Sequence, residues 1–523
     1  MSGHVSPSHH ANETGAILVP FIADPGPGVD SKQLTAAESR DYAANEIAES
    51  FPKLSKSRSI LLTAVISTAG LLTVHIGIPP TRQQIVVSIY NISTGSLMLL
   101  WGRLADVYGR RLVYLVGSVL FTLSNLCLPF TRYEVPFHIV RFLQGMSGAA
   151  VIPSGIGIIA STFPRGKARN NAYVCISAVA SVGSVLGNIF GGVIGGLLSW
   201  QWVFWVPAIL AAVVTVMAYF ITDTPHLRSP SSASTAIANS GEESRAKSVD
   251  WIGGALVSCS LVLLLAAFTQ ANVIGWSTPW IPPLIAGSVL LLFGFCFWQR
   301  RLEKDPAREP LLRISMFKNL QFSALFVLVA FFYASFNSFL VFVTFFYQDY
   351  LDLSELDTTL RFLPAGIAGL SFAVSLALSR IRAFHILVFG LVCGIASPFI
   401  MAIPAIPPET SYWAYGFPAM CLCFSIEIVW PVISLLIAAR LPSADQALGS
   451  GLLQSSNNVG RALGLAIATA VQTSAQGSEK DGGGFAGSPG YLYGVRAAQW
   501  TNVGFAAAAL GIAIAFFRDL GHA

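Results

Sequence analysis

The chain has 523 residues, of which 54% are hydrophobic and only 11% charged, with a formal net charge of +5. Soluble domains carry about 25% charged residues, so this composition excludes a soluble globular protein and points to one embedded in a bilayer. The basic residues punctuate apolar runs and form no continuous stripe, which argues against a nucleic-acid partner.

Residues 1–57 are rich in Ser, Pro, Gly, Asp and Glu and have no sustained period, as expected of a disordered tail. The apolar stretch 16–22 is too short for a signal-peptide core and has no basic segment before it. Fourteen apolar runs follow, each of a length to cross a bilayer: 59–79, 84–102, 112–130, 136–163, 172–196, 202–222, 251–272, 281–298, 320–347, 358–379, 384–403, 413–438, 448–472 and 499–517. An even number of spans puts both termini on one side. The two tails and the loops after the even-numbered spans hold 24 Lys and Arg, against five in the opposite loops: Arg82, Arg132, Arg361, Lys480 and Arg496. That asymmetry predicts cytoplasmic termini. Residues 223–250 read as a flexible cytoplasmic linker, 299–319 as a basic loop along the anionic inner leaflet, 473–490 as a loose external loop and 518–523 as a short tail. The seven cysteines lie inside apolar runs, without the spacing of a zinc site or a disulfide framework.

Between spans 2 and 3 lies Gly102-Arg103-Leu104-Ala105-Asp106-Val107-Tyr108-Gly109-Arg110-Arg111. A link this short makes the two helices an antiparallel pair. Asp106 is suited to accept hydrogen bonds from a helix N-terminus or an arginine fork. Gly102 permits close helix approach, and Gly109 a turn that a side chain would block.

Ionisable residues in hydrocarbon are expensive and usually face a cavity or a partner. Glu427 is the only acidic residue well within an apolar run. It reads either as a carboxyl that takes up and releases a proton, or as a permanently protonated one bonded to a neighbouring helix. Arg141, with Gln144 a turn further on, reads as a partner for a substrate carboxylate, as a charge that biases the pKa of a carboxyl across the cavity, or as a side chain that snorkels to the outer face. Arg461 lies midway along span 13, where snorkelling is harder. Gln454, Asn458 and Arg461 are spaced by four and three, which puts them on one helical face and suits a water-filled path or interhelical hydrogen bonds. In span 5, glycines recur every four residues and form a seam for close helix packing. His75 and Asn91 are weaker candidates. No nucleophile–base spacing, metal motif or P-loop occurs, so neither enzymatic chemistry, a cofactor, a metal nor ATP is expected.

The pattern G-x-x-x-D-x-x-G-R-R resembles the loop between helices 2 and 3 of the major facilitator superfamily of secondary transporters. Arg141-Phe142-Leu143-Gln144-Gly145 with Gly148 and Pro153 is similar to its arginine-bearing signature. Gly183, Gly187, Gly191 and Gly192 match the glycines of the exporter signature G-x-x-x-G-P-x-x-G-G, with Asn188 in the place of proline. Trp200 to Trp205, Asp250-Trp251-Ile252-Gly253, Arg361 to Pro364 and Gly460 to Leu465 extend the resemblance over about 59–517. It points to the fourteen-spanner drug:proton antiporters, particularly fungal multidrug and secondary-metabolite exporters. Unlike many proton-coupled members, the centre of span 1, Thr68 to His75, holds no acid.

The resemblance implies an all-α major facilitator fold: six-helix bundles over 58–222 and 320–517, and two peripheral extra helices over 251–298. It implies export of amphipathic organic compounds by alternating access, with Asp106, Gly102, Gly109, Arg110 and Arg111 as a gate. Small-molecule substrate, protons and the bilayer are the partners expected of a plasma-membrane monomer. An importer or facilitator of a small polar solute, and a non-transporting sensor, are the competing readings.

Overall fold

The computed structural model describes residues 83–163, 201–221, 249–305 apart from 277, 310–378, 382–441, 446–476 and 488–518, with scattered positions between 172 and 199. These all belong to one compact unit, Phe51–Ala523. In chain order the helices are α1 (Gln83–Tyr108), α2 (Arg110–Cys127), α3 (Glu134–Thr162), α4 (Trp202–Ile221), α5 (Trp251–Ile274), α6 (Ile281–Leu302), α7 (Leu320–Phe345), α8 (Glu355–Leu378), α9 (Ala383–Ala402), α10 (Tyr412–Cys421), α11 (Ser425–Arg440), α12 (Gln446–Gln476) and α13 (Pro489–Phe516). Helix is what such apolar runs dictate, because hydrocarbon offers the backbone no water and each N–H and C=O must pair within the segment. Among the described residues nine helical segments are long and apolar enough to cross a membrane. The remaining long helices, α1, α8 and α12, are not among those nine; α1 and α12 carry polar groups that meet each other.

Several expected boundaries move. The stretch 102–111 is not a loop: α1 runs on to Tyr108 and α2 begins at Arg110, leaving Gly109 alone as the link. Span 12 is a broken helix, in which α10 passes through a 3-10 turn, Leu422–Phe424, into α11. Pro418 and Pro431 flank the break, and each removes a backbone donor from the helix. The last helix starts at Pro489, ten residues early, because Ser488 caps it by accepting from Tyr491 N–H at 3.1 Å. Arg496 is therefore a helix residue, not a loop residue, and donates to Ile406 O at 2.6 Å. The readings of 1–57, span 1, the 223–248 linker, and Asn188, Gly191 and Gly192 fall outside the described residues. Gly183 and Gly187 are helical and buried.

The helices pack as two groups. In the first, α3 lies against both α1 and α2, and α4 against α2; in the second, α7, α9, α12 and α13 pack together, with α8, α10 and α11 at their side. The second group has the larger apolar core, built on residues such as Leu325, Val329, Phe332, Leu387, Val429 and Ile433. Outward faces stay apolar. Leu112, Val116, Val119 and Leu123 form an exposed stripe along α2, the pattern of a helix facing lipid.

In the α5–α6 hairpin, expected at the periphery, α6 keeps an exposed face and α5 leans on both groups. Val257 and Leu261 share a cluster with Leu99 of α1 and Leu448 of α12. Gly254 makes the approach possible, since a Cβ there would lie 2.7 Å from Leu100 Cδ1. Asp250 fastens the hairpin: its carboxylate accepts from Gly253 N–H at 2.9 Å, Trp298 Nε1 at 3.1 Å and Gln299 Nε2 at 2.7 Å.

Candidate functional site

Two places in the bundle gather charge. The first is where α1 meets the start of α12. Asp106 is only 2% exposed, and its Oδ1 accepts from Arg110 Nε at 2.9 Å and Nη2 at 2.8 Å. Its Oδ2 accepts from the backbone N–H of Leu448 at 2.9 Å, a residue 342 positions further along the chain. Leu448 is the third residue of α12, among the first four whose N–H groups have no partner within the helix. Asp106 is thus a helix cap supplied from the other group, and its charge complements the positive end of the α12 dipole. Arg110 completes the node by donating from Nη1 to Gly157 O on α3 at 3.0 Å. Arg111 turns outward, its Nη2 3.4 Å from Tyr219 O.

The two motif glycines act differently. A Cβ on Gly102 would lie 2.8 Å from Ala447 O, so the glycine is needed for close approach of the two helices. A Cβ on Gly109 would meet nothing within 4 Å, but its φ of +103° is a conformation that side chains disfavour. Above Gly102 the seam continues. A Cβ on Gly451 would lie 2.6 Å from Met98 O, and Ser455 Oγ donates to Gly95 O at 3.2 Å. Beside it, a cavity lined by Ile156, Tyr173, Ser434, Gln446 and Ser450 measures only about 10 Å³, about the space of one water. Among the described residues this end of the interface is closely packed.

The second place lies in the membrane-spanning parts. Arg141 is 0% exposed, so it does not snorkel. Its Nη1 donates to Gln144 Oε1 at 2.8 Å, and Gln144 Nε2 donates to Asn125 Oδ1 at 2.8 Å. The guanidinium sits over the rings of Phe204 and Phe137, at 4.9 and 5.6 Å from their centroids. Among the described residues its Nε and Nη2 have no hydrogen-bond partner. Arg461 is partly exposed and reaches α7, where Asn337 Oδ1 accepts from its Nε at 2.9 Å and Nη2 at 2.8 Å. One turn before Asn337 on the same face is Tyr333, within electrostatic reach of both Arg461 and Glu427. Glu427 is partly exposed in the first turn of α11. Pro431 leaves Glu427's own carbonyl without its helical donor.

The sequence-predicted residues therefore divide. Arg461 and Glu427 converge on Tyr333, whereas Arg141 and Gln144 make their contacts within the first group. Gln454 Oε1 accepts from Asn457 Nδ2 at 3.1 Å, while Asn458 packs against Gly95 across the seam. Three partners went unread. Asn125 and Asn337 are lone amides in apolar runs, a signal open to view. The Leu448 N–H is backbone, for which no sequence signal exists.

The Major Facilitator Superfamily model matches residues 58–465. Among characterised relatives, the low affinity ammonium transporter of Saccharomyces cerevisiae is 26% identical, over 74% of this chain and 73% of its own. The efflux pump terJ of Aspergillus terreus is 25% identical, over 88% and 85%. Among solved structures, the human organic anion transporter MFSD10 (TETRAN) superposes with a TM-score of 0.59 at 15% identity, over 88% of this chain and 100% of that one. The motif at the Asp106 node, the two groups of helices meeting at one seam and the extent of the family match lead to one conclusion: the chain belongs to the Major Facilitator Superfamily.

Proposed function

We propose that the protein is a proton-coupled exporter of amphipathic organic compounds that works by alternating access. Fourteen spans form two six-helix bundles and an added hairpin, with both termini cytoplasmic, in a monomer of the plasma membrane. The observation that carries the reading is the Asp106 cap on α12. It joins the two bundles through one carboxylate at one end, so it must break when that end opens. Gly102 and Gly109 let the helices meet there, and Arg110 and Arg111 tie the node to α3 and α4.

Glu427 is the proposed proton carrier, with Arg461 and Tyr333 setting its surroundings and Arg141 with Gln144 available to an anionic group of the substrate. Gln454 and Asn458 line the path between the bundles. Efflux-pump relatives favour export. A second reading, facilitated passage of a small polar solute, is favoured by the ammonium-transporting relative and by the acid-free centre of span 1. Purified protein in sealed vesicles, offered amphipathic dyes and small polar solutes with and without an imposed pH gradient, separates the two. Accumulation of amphipathic compounds only with the gradient supports the exporter. Equilibration of a small solute regardless of the gradient supports the facilitator.

A further inference from the structure

A notch outside the transport path lies between the end of α6 and the 3-10 turn Ile314–Lys318. It encloses about 910 Å³, within the range of ligand-holding clefts, about 300–1,000 Å³. Its walls are fastened. Gln299 Oε1 accepts from Leu312 N–H at 3.3 Å, and Glu303 Oε1 accepts from Ser315 N–H at 2.9 Å. Phe317 packs edge-on against Phe322, with centroids 5.5 Å apart. Four cations line the notch: Arg300, Lys304, Arg313 and Lys318. All four are exposed, and among the described residues no carboxylate pairs with any of them. The described lining acids are Glu303, held by Ser315, and Asp305, so among the described residues the lining carries a positive excess.

The helix leading to the notch supplies the second half of the chemistry. Leu290, Phe293 and Phe297 are 73%, 71% and 71% exposed. They recur at i, i+3 and i+7, so they form one lipid-facing stripe. Arg300 and Lys304 continue that spacing, three and seven residues after Phe297. An apolar track thus ends in a cationic notch at the membrane surface, which matches the two halves of a phospholipid. A zwitterionic headgroup carries its own cation; an anionic one does not. We propose that the notch binds the headgroup of an anionic glycerophospholipid, with an acyl chain lying along Leu290, Phe293 and Phe297.

The test uses the full-length protein in phosphatidylcholine vesicles doped with spin-labelled phosphatidylglycerol or spin-labelled phosphatidylcholine. The motionally restricted fraction gives the relative association of the two. The wild type should favour phosphatidylglycerol several-fold, about the worth of one fully engaged surface cation, and the combined variant R300Q/K304Q/R313Q/K318Q should bring the ratio to about one. R382Q, at an exposed arginine outside the notch, should leave the ratio unchanged. K304Q/K318Q, a milder change should the fourfold variant not fold, should lower it partway, and F293A/F297A should reduce restriction of both lipids. An undiminished preference in the cation variants would overturn the site, and unaltered restriction in F293A/F297A would overturn the acyl track. Displacement of the labelled lipid by excess inorganic phosphate would identify a general anion site and overturn the lipid assignment. No substrate is present, so the outcome is independent of the transport reading.

Discussion

Asp106 and Glu427 are both carboxylates in a bilayer-embedded fold, and they are held in opposite ways. Asp106 is enclosed, with one oxygen committed to Arg110 and the other to a backbone N–H of the opposite helix group. Glu427 is partly exposed, on a broken helix, near a phenol and a guanidinium that is itself satisfied by a neutral amide. Asp106 thus ties the two helix groups together, whereas Glu427 is the carboxyl proposed above as the proton carrier. The difference teaches that a carboxylate whose oxygens bridge two helix groups serves as a tie, and the proposed carrier sits instead on a broken helix within one group.

The largest effect that would sharpen this contrast is expected from Glu427→Gln. The amide mimics a protonated carboxyl, so substrate exchange down its gradient should continue while accumulation against a gradient is lost. Vesicle transport with an imposed pH gradient measures both, and undiminished uphill transport would place the carrier elsewhere. Next comes Gly102→Leu, in which a branched side chain would have to occupy the position of Ala447 O, 2.8 Å from the glycine's would-be Cβ. Overpacking costs about 1–3 kcal/mol, equivalent to a roughly 5- to 150-fold shift away from the closed seam. Reactivity of an introduced cysteine at Ala447 should rise by a comparable factor.

Arg461→Lys keeps the charge but loses the fork on Asn337 Oδ1, and Arg and Lys are not equivalent at such a site. Transport should fall about tenfold, the worth of one charged hydrogen bond, with little change in thermal midpoint. A midpoint that drops in step with transport would reduce Arg461 to a structural tie. Gly109→Ala should do least. It places a side chain at φ +103°, a strain of about 1–3 kcal/mol, so the protein should melt a few degrees lower with transport nearly intact. Equal loss of transport at Gly109 and Gly102 would contradict the distinction between conformational and steric glycines.

Much of the frame was legible in the sequence, for physical reasons. Apolar runs near 20 residues have one outcome in hydrocarbon, and the described helices fall where those runs predicted them. Errors gathered at polar ends. The motif at 102–111 carries four charges, so it reads as a loop, yet its carboxylate and guanidinium pair within the helix and across the seam and so allow α1 to continue. The start of α13 was missed because Gly490, Gly494 and Arg496 masked the cap at Ser488. Of the candidate site, the residue types were readable, since an ionisable group in an apolar run stands out. Their partners were not. Pairing of Arg461 with Asn337, or of Asp106 with Leu448, depends on which helix faces meet, and one helix's periodicity does not encode that. The α5–α6 hairpin shows the same limit: its hydrophobicity announced two spans, but not that α5 would lean on both sides of the seam.

The measurement that bears most directly on the account is the distance across the Asp106 end in the wild type and in Asp106→Asn. Spin labels at Tyr108 and Arg382, exposed positions on the first and second helix groups, report that separation in an otherwise cysteine-free protein. Asparagine can still accept from Leu448 but loses the charge that Arg110 and the α12 dipole stabilise, a loss of about 1–2 kcal/mol. The account predicts a short-distance population in the wild type that gives way, by roughly 5- to 30-fold, to longer distances in the variant. Identical distance distributions in the two proteins would contradict it, and would leave Asp106 a feature of topology with no part in closing the seam.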